Sequence, residues 1–420
     1  MPLSPIHKEG QTTMCRSGGK RAKATDAGDR ISSLPDEMLH HVISFLPARD
    51  AVRTCVLSPR WRNLWASARR LNVDTVGFTS HTGFVKFVTA LLLSRGCRPL
   101  LSFWLDADGP GIYLENFRDT AYLWIYHALR SNVETLGIVD HNQKVYNVVV
   151  DMPAFQLHRC PLISSCLKKL HLCNVYIDND VMKKLFSGCP ALEDLEMRDF
   201  EIFDTEFSSA TLTNLSIDYV NFPALEDYEY FEDIVINMPS LVSLHIGSLL
   251  CSKPILVEVQ SLEIASVSIG HPQKVTFADA CGILGALSNV KNLELLFPCS
   301  VVGEYSLQRD MQLFQVVFTN LTTLRLSDWC LHDGCQALLY LLAHSPNLEK
   351  LTLKLMKHGL YDRHWWYPSA AVVRDSTPFS CEKLKKIEIM YPVGDRGVEI
   401  LVMKLFANII SPPEINIKPY

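Results

Sequence analysis

The 420-residue sequence lacks the patterns that most often carry enzyme chemistry or cross a membrane. It contains no phosphate-binding loop, no G-x-S-x-G and no glycine-rich nucleotide fingerprint, and its 13 cysteines include no C-x-x-C pair. An odd number of scattered cysteines predicts reduced thiols in a cytosolic or nuclear protein. No apolar run approaches the length of about 18 residues that a membrane helix needs, and we expect no signal peptide. We therefore expect no catalytic residues and no cofactor.

A zinc site is also not expected, although several metal-binding side chains lie close together in the sequence. They are Cys330, His332, Cys335 and His344. Their spacing matches no common zinc pattern. Alternation within an apolar repeat explains these positions better, so the sequence predicts no bound metal.

Charge is present in both signs but is unevenly distributed. The formal net charge of −5 gives no general case for nucleic-acid binding. Residues 1–28 contain five Lys/Arg and two Asp/Glu, and residues 29–70 contain seven and four, so that each segment carries +3 and the remainder −11. Residues 1–28 are predicted to be a disordered basic tail. Within it, residues 20–23 are either solvated or a nuclear signal.

Residues 29–74 contain more apolar side chains than three short helices can enclose. Pro35 suits the first position of a helix, and Asp36 and Glu37 place negative charge at the positive end of its dipole. Apolar residues then recur at the spacing of one helical face, and a proline follows. They are Leu39, Val42, Ile43, Leu46 and Pro47.

A second helix is predicted from about Arg49, and a third from Pro59 with Ser58 as its N-cap. Their apolar stripes are Ala51, Val52, Cys55 and Val56, and Trp61, Leu64, Trp65 and Ala68. A chain of about 40 residues rarely folds without a metal, disulfides or a partner. The segment therefore either caps the rest of the chain or contacts another protein.

A series of short motifs runs through this segment with almost no gap. They are Leu34-Pro-Asp-Glu37, Phe45-Leu-Pro47, Ala51-Val-Arg53, Val56-Leu-Ser58, Arg60-Trp-Arg62 and Leu64-Trp65. In this order they resemble the F-box of plant F-box/leucine-rich-repeat proteins, with Pro59 in place of the basic residue of many relatives. The resemblance implies a subunit of an SCF-type ubiquitin ligase, which docks on a Skp-type adaptor and through it on a cullin.

Carried over position by position, the resemblance implies an adaptor-binding surface of twelve residues. They are Leu34, Pro35, Leu39, Ile43, Leu46, Pro47, Val52, Val56, Leu57, Trp61, Leu64 and Trp65. Some of these side chains must instead hold the three helices together, and the sequence does not sort them.

The rest of the chain repeats the pattern apolar-x-x-apolar-x-apolar. The copies are Leu167/Leu170/Leu172, Leu192/Leu195/Met197, Leu212/Leu215/Ile217, Leu241/Leu244/Ile246, Val259/Leu262/Ile264, Val290/Leu293/Leu295, Leu321/Leu324/Leu326, Leu348/Leu351/Leu353 and Leu384/Ile387/Ile389, with further candidates from Leu100 and Val133. Three copies share a longer phrase that begins Cys189-Pro, Met238-Pro and Ser345-Pro, each after a helix-like stretch at 180–187, 231–237 and 336–344.

A short strand, a turn, a helix and a return make one repeat of a leucine-rich-repeat solenoid. The predicted fold class is therefore α/β, with an N-terminal three-helix F-box followed by an irregular leucine-rich-repeat solenoid, or horseshoe. The predicted organisation is a tail at 1–28, the F-box at 29–74, a connecting helical segment at 75–97, the solenoid at 98–375 and a C-terminal repeat at 376–420. This last region, with a helix near 398–409, resembles the FBD-type tail of plant relatives.

Residues between the apolar positions of each strand face outward and would line the concave face. They include Lys169, His171, Asp194, Glu196, Ser216, His245, Glu294, Arg325, Thr352 and Glu388. Two aromatic insertions, at 227–233 and 364–368, are further candidates for contact. The candidate substrate-binding residues are His171, Glu196, His245, Arg325, Trp365 and Trp366. Solvation of the polar residues and a loop folded back over the solenoid are the alternatives.

The sequence thus predicts a non-catalytic substrate-recognition subunit of an SCF-type ubiquitin ligase, located in the nucleus, the cytoplasm or both. Its expected partners are a Skp-type adaptor, a cullin bound through it, and a protein substrate, with no nucleic acid and no membrane. Two alternatives stay open. One is an adaptor-bound scaffold that recruits no ligase. The other is a receptor that also holds a small molecule, although the sequence shows no cluster of basic residues that would support it.

Overall fold

A computed structural model describes the chain in segments. They are residues 31, 34–107, 117–140, 155–157, 160–177, 179–199, 201–202, 206–218, 234–247, 254–268, 283–296, 316–327, 332–355, 381–393, 401–403, 405 and 413–420. The predicted tail, the insertion at 227–233, Cys330, Trp365 and Trp366 lie outside them. Within these segments, no helix combines the length and apolar character needed to span a bilayer.

Three short α-helices form the N-terminal region, as the sequence predicts. They are α1 (Asp36–Ile43), α2 (Ala48–Arg53) and α3 (Leu64–Ser67), with 3-10 turns at Thr54–Val56 and Pro59–Asn63. Pro35 lies one residue before α1 rather than at its first position, and its carbonyl accepts the Met38 and Leu39 amides. The third predicted helix begins at Pro59 as a 3-10 turn and becomes α-helical at Leu64.

The core of this region is small. Its buried members are Leu39, Ile43, Ala51, Trp61, Leu64 and Ala68, with Leu34, Leu46 and Trp65 packed against them at partial burial. Leu39 and Ile43 lie one helical turn apart on α1 and are buried in the same cluster as Trp61 and Leu64, so α1 packs with the third helix. Other apolar side chains of the segment are left outside this core.

A parallel sheet runs from here to the end of the chain. In order across the sheet its thirteen strands are β1 (Arg70–Asp74), β2 (Ser102–Asp106), β3 (Thr135–Val139), β5 (Lys169–Cys173), β7 (Asp194–Arg198), β10 (Asn214–Asp218), β12 (Ser243–Ile246), β14 (Ile264–Ser268), β15 (Asn292–Leu296), β16 (Thr323–Ser327), β17 (Lys350–Lys354), β18 (Lys386–Tyr391) and β19 (Glu414–Pro419). Neighbouring strands pair in register, and the apolar positions of the repeat pattern are buried in one continuous core. The predicted solenoid is confirmed, and the copies beginning at Leu100 and Val133 supply β2 and β3.

The solenoid starts earlier than the sequence predicts. Ala68, Leu71 and Val73 repeat the pattern and are all buried, so β1 belongs to the first repeat although it falls within the predicted F-box at 29–74. The predicted connecting segment is the helix of this repeat, α4 (His81–Arg95). Ala68 is therefore shared by the F-box core and the first repeat.

Further helices and short strands lie along the chain between the strands of the large sheet, and residues 283–286 are also helical. The further helices are α5 (Phe117–Arg130), α6 (Asn179–Gly188) and α7 (His332–Ala343). The outer strands are β4 (Phe155–Gln156), β6 (Val175–Ile177) and β8 (Glu201–Ile202) in one sheet, and β9 (Glu206–Ser208), β11 (Ile234–Asn237) and β13 (Pro254–Val257) in another. The helices predicted at 180–187 and 336–344 are confirmed, and residues 401–403 and 405 are helical. The helix predicted at 231–237 is wrong for its described part, because Ile234 and Ile236 are buried at the period of a strand.

One repeat is shifted by three residues from its prediction. The copy assigned to Val259, Leu262 and Ile264 is instead Leu262, Ala265 and Val267, because these are the buried positions in and before β14. Ile264 is exposed on the opposite face. Because the side chain of Ala265 is small, it is a weak apolar signal in the sequence. The neighbouring Ile264 was therefore assigned to the repeat pattern instead.

Candidate functional site

The twelve predicted adaptor-binding residues fall into three groups in the structure. Leu39, Ile43, Trp61 and Leu64 are buried in the F-box core, so their side chains hold the helices together and are removed from the docking surface. Pro47, Val52 and Trp65 face the solenoid: Pro47 bridges to Asn72, and the other two pack on the solenoid core. Leu34, Pro35, Leu46, Val56 and Leu57 remain at least partly exposed.

A second apolar stripe on α1 was missed by the sequence analysis as a docking surface. Met38, Val42 and Phe45 are all exposed, although they lie at the helical spacing i, i+4 and i+7. Phe45 is 65% exposed, and its ring meets the His41 ring edge to face, with centroids 4.9 Å apart. The sequence contained the signal for this surface. Met38 and Val42 lie on a different face of α1 from Leu39 and Ile43, and one short helix cannot bury both faces against the same core.

Two further exposed apolar residues, Val56 and Leu57, lie at the end of the 3-10 turn Thr54–Val56 and just after it. The guanidinium of Arg60 is 2.5 Å from the Asp36 carboxylate, which ties the third helix to the first turn of α1. Leu57 precedes Arg60 by three residues, so the Cα atoms of these two residues are within about 11 Å of each other. Met38, Val42, Phe45, Val56 and Leu57 are defined here as the apolar F-box surface. Large exposed apolar surfaces of this kind mark sites of protein interaction.

Two arginines fix the F-box on the first repeat. Arg95, on α4, is buried and donates from Nη1 to the carbonyls of Ala68 at 2.6 Å and Trp65 at 3.3 Å. Burial is the main cause that lowers the pKa of Arg95, to about 10. Arg49, on α2, donates to the Gly77 carbonyl, and its guanidinium carbon lies 4.8 Å from the centre of the Phe78 ring. The F-box is therefore attached without a flexible linker.

A second candidate surface is the outward row of the thirteen-stranded sheet. In register across the sheet it consists of Asn72, Trp104, Gly137, His171, Glu196, Ser216, His245, Ser266, Glu294, Arg325, Thr352, Glu388 and Asn416. The row confirms that the residues predicted to face outward share one face. Gly137 and Thr352 are buried within this row.

At the N-terminal end the row is aromatic and acidic. The Trp104 ring lies across Gly137, where a Cβ atom would come within 2.1 Å of it, and reaches His171 with ring centroids 5.0 Å apart. His171 Nδ1 is 2.7 Å from Glu196 Oε2, and Glu196 Oε1 is 2.5 Å from Arg198. Two of the predicted substrate-binding residues, His171 and Glu196, are thus paired with each other.

The other predicted residues are separated from this group. Arg325 pairs with Glu294 at 3.2 Å, and His245 lies between Ser216 and Ser266 in the row. The structure therefore does not gather His171, Glu196, His245 and Arg325 into one pocket, but distributes them over several strands. Among the described residues no group of three or more His, Cys, Asp or Glu is placed to hold a metal ion.

A cluster of lysines at the C-terminal end of the same face was not predicted. Lys350, Lys386 and Lys418 lie 2.8, 3.1 and 3.4 Å from the carboxylate of Glu388. Hydrogen bonds from Lys350 and Lys386 lower the pKa of Glu388 to about 2. Lys354 occupies the exposed end of β17. Lys350 and Lys386 are 36 positions apart in the sequence, and Lys386 and Lys418 are 32 positions apart, so only the strand register brings the three together.

Comparison with known proteins agrees with this architecture. The F-box domain profile matches residues 31–72, and the profile described as At1g61320/AtMIF1, LRR domain, matches residues 141–411, which is well over half of the chain. The second match begins after β3, so the structure extends the solenoid toward the F-box by three strands.

Relatives in Arabidopsis thaliana carry the same combination. F-box/LRR-repeat protein At4g14096 is 28% identical over 363 residues, covering 80% of this chain and 75% of the relative. F-box/FBD/LRR-repeat protein At4g26340 is 29% identical over 414 residues, covering 90% of each. FBD-associated F-box protein At1g66310 is 28% identical over 375 residues, covering 81% of this chain and 80% of the relative. With its F-box fixed to a parallel leucine-rich-repeat sheet, the chain belongs to the plant F-box/leucine-rich-repeat proteins.

Proposed function

We propose that the chain is the substrate-recognition subunit of an SCF-type ubiquitin ligase in the nucleus or cytoplasm. Its F-box docks a Skp-type adaptor, which links it to a cullin, and its solenoid holds a protein substrate. The subunit contributes no catalytic group, and promotes ubiquitin transfer by placing the substrate near the conjugating enzyme. Proximity and orientation alone are worth about 7–11 kcal/mol in well-oriented reactions.

The observation that carries this proposal is the apolar F-box surface. The F-box core has six buried side chains and leaves Met38, Phe45 and Val56 in solvent. Burial of one large apolar side chain is worth about 1.5–3 kcal/mol, so covering several of them supplies a substantial driving force for association. Since Pro47, Val52 and Trp65 contact the solenoid, the adaptor docks on the exposed apolar residues that include Phe45.

The experiment is co-purification of the full chain with a Skp-type adaptor and a cullin. Two variants place a charge on the apolar F-box surface, Phe45→Asp and Val56→Asp, and neither alters a buried side chain. The matched control is Val393→Asp at the far end of the solenoid, because Val393 is 81% exposed and Val56 is 82% exposed. We expect both F-box variants to lose the adaptor by at least tenfold and the control to retain it.

Other outcomes decide against parts of the proposal. Undiminished adaptor recovery by Phe45→Asp and Val56→Asp together would overturn the assignment of the docking surface. Recovery of the adaptor without a cullin would favour the scaffold alternative. Point variants are preferable to deletion of residues 29–70, because that deletion would remove Ala68 and the first residue of β1 and so disturb the solenoid as well.

A further inference from the structure

The outward face of the sheet is divided into two regions of opposite charge. With Lys and Arg counted as +1 and Asp and Glu as −1, the outward positions of β1 to β15 in the sheet sum to −3, and those of β16 to β19 sum to +3. The positive charges are Arg325, Lys350, Lys354, Lys386 and Lys418. Within the first region, β12 and β14 contribute no charged side chain to this face.

We propose that the positive region, at β16 to β19, binds a short acidic segment of the protein that the solenoid receives. The identification of this partner as a substrate rests on the proposed function. Arg325 is paired with Glu294, whereas Lys350, Lys386 and Lys418 share the carboxylate of Glu388, so the lysines carry the excess positive charge. Opposite charges across an interface speed association and set its register.

The lysines have capacity for a second anion beside Glu388. Each ammonium group has three donors, and Lys350, Lys386 and Lys418 direct one of them at the same carboxylate. Their side chains are between 36% and 59% exposed, whereas that of Glu388 is only 14% exposed. Glu388 therefore lies beneath the ammonium groups, and their outer sides face solvent. An incoming carboxylate therefore meets the solvent-facing sides of three ammonium groups that the Glu388 carboxylate holds in place.

The dimensions of the region favour a peptide over a nucleic acid. Four strands at a spacing of about 4.8 Å span about 14 Å, the length of four or five extended residues. A polyanion long enough to pass β15, β14 and β12 would reach Asp218 and Glu196 and would be repelled there. A protein segment with four or five acidic residues fits the charged width without reaching that region.

The test uses the full chain and fluorescein-labelled peptides of equal length, with a central run of five glutamates, five lysines or five serines. We expect fluorescence anisotropy to show binding of the glutamate peptide alone, weakening as salt is raised because exposed charges are screened. The double variant Lys350→Gln/Lys354→Gln should bind it about tenfold more weakly, on the basis of about fivefold at most for each exposed ion pair.

Two further variants separate an anion site from a structural cluster. Glu388→Gln removes the internal competitor and should bind the glutamate peptide about threefold more tightly. Lys385→Gln is the matched control, because Lys385 is highly exposed but is paired with Glu349 outside the outward row, and it should bind unchanged. Equal binding by the lysine double variant and the parent chain would overturn the proposal, as would weaker binding by Glu388→Gln.

A single-stranded oligonucleotide of ten thymidines tests the nucleic-acid alternative, and its binding in preference to the glutamate peptide would also overturn the proposal. Adaptor recovery from the same preparations keeps the two hypotheses apart. A chain that recovers the adaptor but ignores the glutamate peptide retains the proposed function and loses the acidic-segment site. A chain that binds the peptide but recovers no adaptor retains the site and loses the ligase assignment.

Discussion

The F-box and the solenoid differ in how completely they bury their apolar side chains. The solenoid stacks its apolar rows into one continuous core and presents polar and charged residues on the outward row. The F-box has a core of only six buried residues and leaves Met38, Val42 and Phe45 in solvent. The two proposed partners differ accordingly: the F-box would bind its partner mainly through apolar burial, and the sheet would bind its partner mainly through charge.

The largest effect is expected from Trp61→Ala in the F-box. Trp61 is the only aromatic residue of that small core, and its truncation should cost about 3–5 kcal/mol. Because the remaining five buried residues of this core cannot compensate for the lost packing energy, we expect the F-box to unfold locally while the sheet stays folded. Hydrogen exchange would show faster exchange in α1 and α3 than in the parent chain, with β14 to β16 unchanged. Equal acceleration throughout the sheet would contradict the division into two regions.

Leu324→Ala in the centre of β16 tests the other side of the comparison. Leu324 is fully buried, and the substitution should cost about 2–5 kcal/mol. In a stacked solenoid each repeat contacts its neighbours, so the loss of protection should centre on β15, β16 and β17. Adaptor recovery should be retained, since the F-box is distant. If the variant loses the adaptor as completely as Trp61→Ala, the two regions form one cooperative unit.

A smaller effect is expected at the junction from Arg95→Met. The substitution removes the hydrogen bonds to the Ala68 and Trp65 carbonyls, but it also relieves the burial of the guanidinium, whose Nε and Nη2 have no hydrogen bond within the described residues. These opposing terms should leave a net loss of about 1 kcal/mol. Thermal unfolding would measure it, with exposed Arg98→Met as the control. Hydrogen exchange at residues 65–68 should accelerate only in the Arg95 variant.

The smallest effect concerns Glu388. Its folded pKa, lowered to about 2, lies below its ordinary value of 4.5, so the carboxylate stabilises the fold above about pH 4.5 and this contribution is lost as the pH falls toward 2. Glu388→Gln should therefore lower the unfolding temperature slightly at pH 7, by an energy of about 1 kcal/mol or less, and match the parent chain near pH 2. A difference that persists unchanged at pH 2 would show that the glutamate acts through packing instead.

Much of the fold could be predicted because the apolar spacing has a direct structural meaning. The spacing of Leu39 and Ile43 predicted a buried helical face, and the pattern of Leu321, Leu324 and Leu326 predicted an inward strand. Prediction failed where side-chain size weakened the pattern, as at Ala265, and where a short apolar run suited either a helix or a strand, as at 234–237.

The candidate surfaces were harder to predict, for physical reasons. Burial within the F-box depends on how three helices pack, so Trp61 and Val56 could not be sorted by apolar character alone. The lysine cluster depends on strand register across three repeats, and the loops between repeats differ in length. Once β17, β18 and β19 are aligned, the position of Glu388 among Lys350, Lys386 and Lys418 follows.

Because the chain passes directly from Ala68 of the F-box core into β1, each strand of the sheet lies at a fixed distance from the F-box. Adjacent strands are about 4.8 Å apart, so each strand farther along the sheet moves a bound segment away from the adaptor by a similar step along its arc. Eleven steps separate β1 from β18, or about 53 Å along the sheet. Under the proposed function, and without a flexible linker to average this distance, the strand that a substrate occupies would select which of its lysines comes within reach of the ubiquitin-loaded enzyme.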